Sequence, residues 1–336
     1  MAGPAGEAMM RNLMAAALSL VWLAPVALAT ELGIRGSQFT IDGKPAFLLG
    51  CSYYAGLGAS PQALEKDLEG LRGSGFNWIR VWATWAAYGQ DVSAVDTAGQ
   101  PRQAYLKKLE QLVAACDQRG IIVNVTLSRG NSSSGPGCVK DYPSHQRAVE
   151  TIVQTLKAYR NWYIDLSNER NIRDTRYTST EDLAKLRAVI AKLDSARLVT
   201  ASHTGWLSKE ELKKYTETVK VDFFSLHRPR EAASPGQTEA RSREILGWLK
   251  ETDHVMPLHY DEPFRRGYGD WQPTAEDFLT DLHGAQAGGA AGWCFHNGGQ
   301  RNHPDEQPRR SFDLSEKRLL EQLDAQEQRL MKLLQK

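Results

Sequence analysis

The sequence lacks the features that mark several common classes of protein. Its 336 residues hold 41 Lys and Arg against 40 Asp and Glu, and a net charge of +1 is not the basic surplus with which proteins bind nucleic acid. Its 4 cysteines are too few for a disulfide-dense scaffold, and they lack the paired spacing of a zinc site. No H-E-x-x-H sequence occurs either. We therefore expect no nucleic-acid partner, no bound metal and no cofactor.

Long apolar runs are absent except near the N-terminus. A positively charged start leads into the apolar stretch Leu13–Leu28, and small residues form an A-x-A signal that ends at Ala29. These are the three parts of a secretory signal peptide, and Pro25 argues against the alternative of an uncleaved membrane anchor. We therefore expect residues 1–29 to be removed near Ala29, so that the protein is exported and keeps no stable membrane span.

Short apolar runs recur along the rest of the chain. They are continuously apolar rather than alternating, which is typical of parallel strands buried on both faces. Turn residues or helical stretches separate them. The predicted strands are Phe47–Gly50, Trp78–Trp82, Ile121–Thr126, Tyr163–Leu166, Leu198–Ala201, Phe223–Leu226, Met256–Tyr260 and Gly292–Phe295.

Segments with helical periodicity lie between these runs. The first begins at Ser60-Pro61, where serine suits the cap and proline suits the first helical position, and it ends at Gly73. Leucines form an amphipathic stripe along the last segment. The other predicted helices are Pro101–Gln118, Gln146–Ala158, Thr180–Leu193, Lys209–Val219, Glu239–Lys250, Ala275–Gln286 and Ser315–Leu334.

Eight strands alternating with eight helices predict a single (β/α)8 TIM barrel over residues 30–336. An Asp42-Gly43 turn predicts a short β-hairpin before its first strand. The structural alternative is a doubly wound open sheet, which usually has a G-x-G-x-x-G turn after the first strand. The residues there, Cys51–Gly58, lack that spacing, so the barrel is favoured.

Two glutamates stand at the ends of strands that face each other across such a barrel. Glu169 follows the fourth strand and Glu262 follows the seventh, and the carboxyl ends of barrel strands are where chemistry gathers. Glycoside hydrolysis needs two carboxyl groups beside the bond that is cut, one of them protonated because its pKa is raised and the other ionised. We expect this pair to lie about 5–5.5 Å apart, the separation of a retaining mechanism.

These residues resemble the clan A glycoside hydrolases, in particular the cellulase-like family 5. The resemblance runs from the TIDGKPAFLLG hairpin to the GWCFHN strand, and its strongest part is IDLSNER. It implies that Glu169 is the acid/base, that Asn168 binds the substrate 2-hydroxyl and that Glu262 in LHYDEP is the nucleophile. It therefore implies a retaining β-glycosidase that hydrolyses a poly- or oligosaccharide.

The resemblance also implies three further binding residues. Arg80 in NWIRVW would keep the nucleophile ionised by its charge. His227 in FFSLHRP matches a histidine of the sixth strand. Trp293 in GWCFHN would form the floor under a sugar ring.

Other residues at the strand ends are candidates for the cleft on their chemistry alone. Trp82 offers an aromatic face that suits the apolar face of a pyranose, although core packing explains it equally well. His203 could line the cleft or be an ordinary hydrogen-bonded histidine. Asp261, beside Glu262, should point to the other side of its strand by the alternation of side chains, and it is an alternative nucleophile.

The sequence departs from the family pattern near the site. Arg170 stands where the family usually has proline after the acid/base. Pro229 stands where the family usually has a tyrosine that contacts the nucleophile, and Tyr260 or Tyr268 could supply that tyrosine instead.

Two other functions compete with the glycosidase hypothesis. A degenerate barrel could bind a glycan without cleaving it. A metal-dependent barrel hydrolase would usually begin with an H-x-H pair on the first strand, whereas this chain has Cys51-Ser-Tyr-Tyr there, so it is the less favoured of the two.

Overall fold

A small antiparallel sheet precedes the main sheet in a computed structural model that describes residues 29–127, 138–173, 177–300 and 306–335. Its strands β1 (Leu32–Arg35), β2 (Gln38–Ile41) and β3 (Lys44–Ala46) pair in that order. Asp42 and Gly43 join β2 to β3 with φ angles of 52° and 73°. Two consecutive positive φ angles suit a tight hairpin turn, which aspartate and glycine favour. The predicted hairpin is confirmed.

The main sheet consists of short, buried strands that pair in parallel throughout. They occur where the sequence has its continuously apolar runs. The strands are β4 (Leu48–Ser52), β5 (Trp78–Trp82), β6 (Ile122–Thr126), β7 (Trp162–Asp165), β8 (Val199–Thr200), β9 (His203–Thr204), β10 (Phe224–His227), β11 (Leu258–Glu262) and β12 (Gly292–Phe295).

The order of these strands closes on itself. It runs β8-β7-β6-β5-β4-β12-β11-β10-β9, so β8 and β9 stand at opposite ends. Only Ala201 and Ser202 separate β8 from β9 along the chain, so the two are halves of one interrupted barrel strand. The sheet is therefore the closed cylinder that the alternation of strands and helices predicted. The predicted strand Leu198–Ala201 corresponds to its first half.

Helices follow the strands and cover the cylinder. Ser60 caps the first of them, and its hydroxyl accepts a hydrogen bond from the backbone N–H of Ala63 at 3.1 Å. The predicted helix Lys209–Val219 continues past its α-helical part as a π-helix over Lys214–Val219. The helices are α1 (Pro61–Gly73), α2 (Gln103–Asp117), α3 (Tyr142–Leu156), α4 (Thr180–Leu193), α5 (Lys209–Lys213), α6 (Ser234–Glu251), α7 (Ala275–Ala287), α8 (Leu319–Gln322) and α9 (Ala325–Leu334).

The prediction of one continuous helix over Ser315–Leu334 is wrong. Asp324 separates α8 from α9, and its Oδ1 accepts hydrogen bonds from the backbone N–H groups of Gln326 and Glu327 at 3.0 and 3.1 Å. Its Oδ2 also accepts from Arg310 at 2.9 Å. Asp324 caps the start of α9 and pairs with Arg310, so a new helix begins here although the leucine stripe continues across the break.

The two ends of the barrel differ in chemistry. Phe39 of the small sheet lies under the amino-terminal end, with its ring 4.9 Å from Phe223 and 5.9 Å from the ring of His259. Trp78 and Tyr163 belong to the same buried cluster. This end is closed by aromatic packing, so the polar residues collect at the opposite, carboxyl end. No helix among the described residues combines the length and hydrophobicity that a membrane crossing needs. Residues 1–28, which hold most of the predicted signal peptide, lie outside the described residues.

Candidate active site

Arg80, on β5, is the centre of the polar residues at the carboxyl end of the barrel. Its side chain is fully buried. Its Nη1 donates to Glu262 Oε2 at 2.7 Å, and its Nη2 donates to Asp165 Oδ2 and Asn168 Oδ1, each at 2.9 Å. Its Nε donates to Thr126 at 3.0 Å. Because a buried charge is stable only when it is paired and hydrogen-bonded, these contacts fix residues from β5, β6, β7 and β11 around one guanidinium group.

Glu262, the last residue of β11, is surrounded by donors. Its Oε2 accepts hydrogen bonds from Arg80 and from the Tyr54 hydroxyl, and its Oε1 accepts one from Arg230. Burial would raise the pKa of Glu262, but the charges of His227, Arg230 and Arg80 outweigh burial and hold the pKa well below its usual value. Glu262 is therefore ionised, as a carboxylate nucleophile must be.

The tyrosine that contacts Glu262 comes from an unexpected strand. Tyr54 follows β4, and its hydroxyl donates to Glu262 and accepts from Arg80 at 3.1 Å. Tyr260, one of the two residues expected in this role, instead lies 2.8 Å from Ser242 of α6, outside the barrel. The second, Tyr268, packs its ring against guanidinium groups. Alternation along β11 explains the error for Tyr260, which points away from the interior.

Glu169, just past β7, has a strained backbone. Its φ of 47° lies in the left-handed region, which few residues with bulky side chains adopt. Its N–H donates to Ser202 Oγ at 2.9 Å, between β8 and β9, and this bond holds the conformation. Its Oε1 lies 3.1 Å from His227 Nδ1, and the side chain is 13% exposed. In this backbone conformation the carboxylate of Glu169 points toward His227, which lies beside Glu262.

The two glutamates meet as the positions of their strands predicted. One oxygen of Glu169 and one oxygen of Glu262 lie within 4.8 Å of each other. Retaining glycosidases hold their two carboxyl groups about 5–5.5 Å apart, whereas inverting ones leave about 6.5–9.5 Å for a water molecule. The geometry therefore fits a retaining mechanism.

The proton of this site resides on His227. Burial alone would lower the pKa of His227, but the charges of Glu262 and Asp261 and the hydrogen bond to Glu169 raise it above 6.5. Burial favours a raised pKa for Glu169, yet the hydrogen bond and charge of His227 lower it. The expectation of a raised pKa for Glu169 is thus wrong. The charges favour the proton on His227, whose Nδ1 lies 3.1 Å from Glu169 Oε1.

Asp261 and Glu262 both face the barrel interior, contrary to the expected alternation. Ser225 of β10 pairs with His259 of β11, but His227 pairs with Glu262, so β11 has one extra residue in a β-bulge. Asp261 Oδ1 lies 3.4 Å from His227 Nε2, and burial raises the pKa of Asp261 to about 6. Asp261 thus contacts the back of the histidine ring and is fully buried, whereas Glu262 is not.

Trp293 does not form a sugar-binding floor, which corrects the expectation from the sequence. It is fully buried, and its indole Nε1 donates to Asp281 of α7 at 2.7 Å. Because side chains alternate along β12, Cys294 and His296 point inward. Cys294 Sγ lies 3.8 Å from Ser52 Oγ, and His296 Nδ1 lies 2.7 Å from the same atom. His296, not Trp293, therefore faces Glu262, with its Nε2 3.7 Å from Glu262 Oε1.

Trp82 lies beside Tyr54 and Arg80, the two residues that contact Glu262 Oε2. Its ring centroid is 5.2 Å from that of Tyr54 and 5.8 Å from the guanidinium carbon of Arg80. The side chain is 2% exposed, and its buried indole N–H has no hydrogen-bond partner in the described structure. Buried N–H groups are usually paired, so this donor is one that a bound hydroxyl could satisfy.

His203 is held away from the glutamates by other partners. Its Nδ1 lies 3.1 Å from the Tyr215 hydroxyl and its Nε2 lies 3.3 Å from the backbone oxygen of Trp206. Burial lowers the pKa of His203 to about 4, so the ring is neutral. Arg170, which replaces the proline of the family, donates to the same Tyr215 hydroxyl at 2.9 Å and pairs with Glu211. His203 and Arg170 therefore belong to one cluster around the Tyr215 hydroxyl.

One group of side chains has the ligand atoms for a metal ion. Atoms of Glu169, His227 and Glu262 lie within 4.8 Å of one another. Two features disfavour a cation there. Arg80 and Arg230 already donate to the oxygens of Glu262, so a cation would lie against two positive charges. A histidine must be neutral to bind a metal, and the raised pKa of His227 opposes this.

The sequence matches the family model "Cellulase (glycosyl hydrolase family 5)" over residues 39–239. The match covers more than half of the chain and includes Glu169 and His227. The chain belongs to glycoside hydrolase family 5. It is therefore a retaining glycoside hydrolase that acts on carbohydrate, and the resemblance recognised in its motifs is confirmed. Glu262 lies beyond the matched residues, so its place in the site comes from the geometry.

Solved structures of glycoside hydrolases share the barrel. An endo-1,4-β-mannanase from Rhizomucor miehei has a TM-score of 0.61 at 13% identity, over 79% of this chain and 89% of that one. A family 5 glycoside hydrolase from Bacteroides vulgatus ATCC 8482 has a TM-score of 0.65 at 14% identity, over 88% of this chain and 68% of that one. A hyperthermostable endo-1,4-β-D-mannanase from Thermotoga petrophila RKU-1 has a TM-score of 0.60 at 13% identity, over 86% and 98%. Comparison with the curated proteins finds no match.

We expect His227 to carry its proton above pH 6.5 and to lose it only as the pH rises through its raised pKa. His203 should stay neutral down to its pKa of about 4. NMR of protein labelled with 13C in histidine measures both titrations. Glu169→Gln should lower the pKa of His227, because the negative charge beside Nδ1 is lost. A His227 ring that is already neutral at about pH 6 would contradict this distribution of charge.

Tyr54→Phe should lower kcat/KM by about 10- to 100-fold, the value of one hydrogen bond to a charged group. The variant keeps the ring but removes the hydroxyl that donates to Glu262. Hydrolysis of a panel of aryl β-glycosides measures the effect. Tyr260→Phe is the matched control, since that hydroxyl contacts Ser242 outside the barrel and its loss should leave kcat/KM unchanged. Equal rates for the two variants would show that Tyr54 does not act on Glu262.

Proposed function

We propose that the protein is an exported β-glycosidase that cleaves a poly- or oligosaccharide by double displacement, with Glu262 as nucleophile and Glu169 as acid/base. The observation that carries this proposal is the approach of the two carboxylates within 4.8 Å, with one of them held ionised by Arg80 and Tyr54. A barrel that only bound a glycan would need neither the short separation nor the buried charges behind it.

The first step forms a covalent intermediate. Glu262 Oε1 attacks the anomeric carbon, because Oε2 is held by Arg80 and Tyr54. The bond from that carbon to the leaving oxygen breaks, and the oxygen takes a proton from Glu169. Glu169 receives that proton from His227 across their 3.1 Å contact, so Glu169 is ionised and His227 neutral when the bond has broken. As the charge on Glu262 is lost in the new bond, the proton on His227 is held less strongly and moves more easily.

The second step releases the sugar. Glu169, now ionised, takes a proton from water, and the oxygen of that water attacks the anomeric carbon while the bond to Glu262 breaks. The proton that Glu169 takes from water in this step returns to His227. Two inversions at one carbon retain its configuration. Asn168 is oriented by Arg80, at 2.9 Å, and is the residue that would bind the sugar 2-hydroxyl. Trp82 offers its unpaired indole N–H to the same sugar.

Two further features support the proposal. Two of the similar structures are endo-1,4-β-mannanases, so a β-linked polysaccharide is a reasonable substrate class. The apolar stretch and A-x-A signal that end at Ala29 support export. If the signal is cleaved there, the mature protein begins at Thr30, and N-terminal sequencing of the exported protein measures this directly.

Azide rescue tests which glutamate has which role. Glu169→Ala should lower turnover of a natural glycoside by about 10²–10⁴-fold, because the acid is lost. With an aryl β-glycoside that needs little acid help, added azide should restore turnover, because azide attacks the intermediate without needing a base. The product should be a β-glycosyl azide, identified by NMR.

Glu262→Ala is the matched comparison. Without a nucleophile no intermediate forms, so azide can only displace the aryl group directly and give the α-glycosyl azide. The opposite assignment of the two azide products would reverse the roles of Glu169 and Glu262. Undiminished turnover by both variants would remove the proposed function.

A further inference from the structure

Three arginines lie at the Glu262 end of the site. Arg80 and Arg230 contact Glu262, whereas Arg265 contacts its neighbour His296. Arg80 already donates to Glu262 Oε2 and anchors the site. Arg230, on the loop after β10, donates to Glu262 Oε1 and is 14% exposed. Arg265, on the loop after β11, is 7% exposed and has its Nη1 3.2 Å from Nε2 of the neutral His296. Arg80 and Arg230 both help to keep Glu262 ionised, so Arg265 is the arginine that needs an additional reason.

Arg265 is a buried cation without an anion. No carboxylate lies within 4.0 Å of it among the residues that the structure describes, and its buried Nε makes no hydrogen bond. Its other neighbours are the rings of Tyr268 and Phe312, each with its centroid 5.0 Å from the guanidinium carbon. Burial and the charge of Arg230 lower the pKa of Arg265 to about 10. Leaving a buried charge unpaired destabilises a protein, so such a group calls for a ligand of opposite charge.

Arg230 and Arg265 lie against the same aromatic ring. The guanidinium carbon of Arg230 is 4.2 Å from the centroid of Tyr268, and that of Arg265 is 5.0 Å from it. Arg230 contacts Glu262 directly, and Arg265 contacts His296, whose Nε2 lies 3.7 Å from Glu262 Oε1. A single substituent on a sugar bound beside Glu262 could therefore meet both guanidinium groups. Planar guanidinium groups bind carboxylate and sulfate oxygens through paired hydrogen bonds.

Arg230 also covers the oxygen that must attack. Glu262 Oε2 is held by Arg80 and Tyr54, so Oε1 is the oxygen available for the sugar, and Arg230 donates to it. A neutral substrate offers Arg230 only hydroxyl oxygens in exchange for a carboxylate. An anionic substituent offers a bond between opposite charges, and it would draw Arg230 away from Oε1 as the substrate binds.

We propose that Arg230 and Arg265 bind an anionic substituent, a carboxylate or a sulfate, on the sugar held beside Glu262, so that the enzyme acts on an acidic glycan. This inference rests on the proposed function and specifies its substrate class. The anion neutralises Arg265 and replaces Glu262 as the partner of Arg230. The enzyme then distinguishes an acidic sugar from its neutral counterpart by the charge alone.

Paired substrates test the preference. A uronate-containing polysaccharide is assayed beside the same polysaccharide after carboxyl reduction, and a sulfated one beside its desulfated form, by release of reducing ends. We expect kcat/KM to be at least about 10-fold higher for the charged member of one pair, the value of a hydrogen bond to a charged group. The pair that shows the preference identifies the anion. Equal or faster cleavage of the neutral members would overturn the inference and leave the glycosidase intact.

Variants of Arg265 test the residue. Arg265→Met keeps a long side chain without the charge, and it should lower kcat/KM for the preferred charged glycan about 10- to 100-fold more than it lowers that for the neutral form. Arg265→Lys should recover part of the preference. Arg243→Met, at a 63% exposed side chain on α6 that pairs with Glu239, is the matched control and should leave both rates unchanged. An unchanged ratio of charged to neutral rates in Arg265→Met would overturn the assignment.

A binding measurement separates this inference from the proposed function. The Glu169→Gln protein is titrated with glucuronate, galacturonate, glucose 6-sulfate and the neutral sugars, and ligand-observed NMR reports binding. Stronger binding of an anionic sugar that is lost in Glu169→Gln/Arg265→Met supports the subsite, even if no glycan is cleaved. Binding that is equal for neutral and anionic sugars, or absent for all of them, would overturn it. Cleavage of the charged glycan that survives Glu262→Gln would remove the proposed function and leave the subsite standing.

Discussion

The active site depends on one buried cation. Arg80 is excluded from water and has Glu262, Asp165 and Asn168 as hydrogen-bond partners. Removing the guanidinium group would leave buried carboxylates without a counter-ion, a far larger cost than that of a surface ion pair. The same contacts that make Arg80 tolerable in the barrel also orient Glu262, the proposed nucleophile, and Asn168, which precedes the proposed acid/base. Under this proposal, stability and catalysis are linked through Arg80.

The proton of the site follows from the same charges. Two carboxylates within 4.8 Å could not both be ionised without compensating positive charge, and Arg80, Arg230 and a protonated His227 supply it. The charges therefore favour the proton on the histidine, and in the proposed mechanism it reaches Glu169 when an acid is required. The excess of positive charge continues past the glutamates to Arg265, which has no carboxylate within 4.0 Å among the residues that the structure describes. This surplus is where the site departs most from one that needs only to hold a neutral sugar.

The sequence predicted the barrel well, because buried parallel strands form short apolar runs separated by helices. The strands Trp78–Trp82 and Gly292–Phe295 have the predicted bounds. Glu169 and Glu262 could be paired because the ends of parallel strands meet at one end of a barrel. What failed depended on single residues: a bulge turned Asp261 inward, and alternation placed Trp293 outside. Tyr54, Arg230 and Arg265 lie beyond the strand ends, where the direction of a side chain is set by tertiary contacts that no local pattern shows.

The most direct test of the central claim is to trap the covalent intermediate. Dinitrophenyl 2-deoxy-2-fluoro-β-glycosides slow both steps, but their good leaving group lets the first step proceed, so the glycosyl-enzyme accumulates. Mass spectrometry of the digested protein then locates the sugar. We expect a single fluorosugar label, on Glu262 in the peptide that contains LHYDEP. A label on Asp261 or on Glu169 would contradict it, because the geometry around Arg80 would then not define the nucleophile.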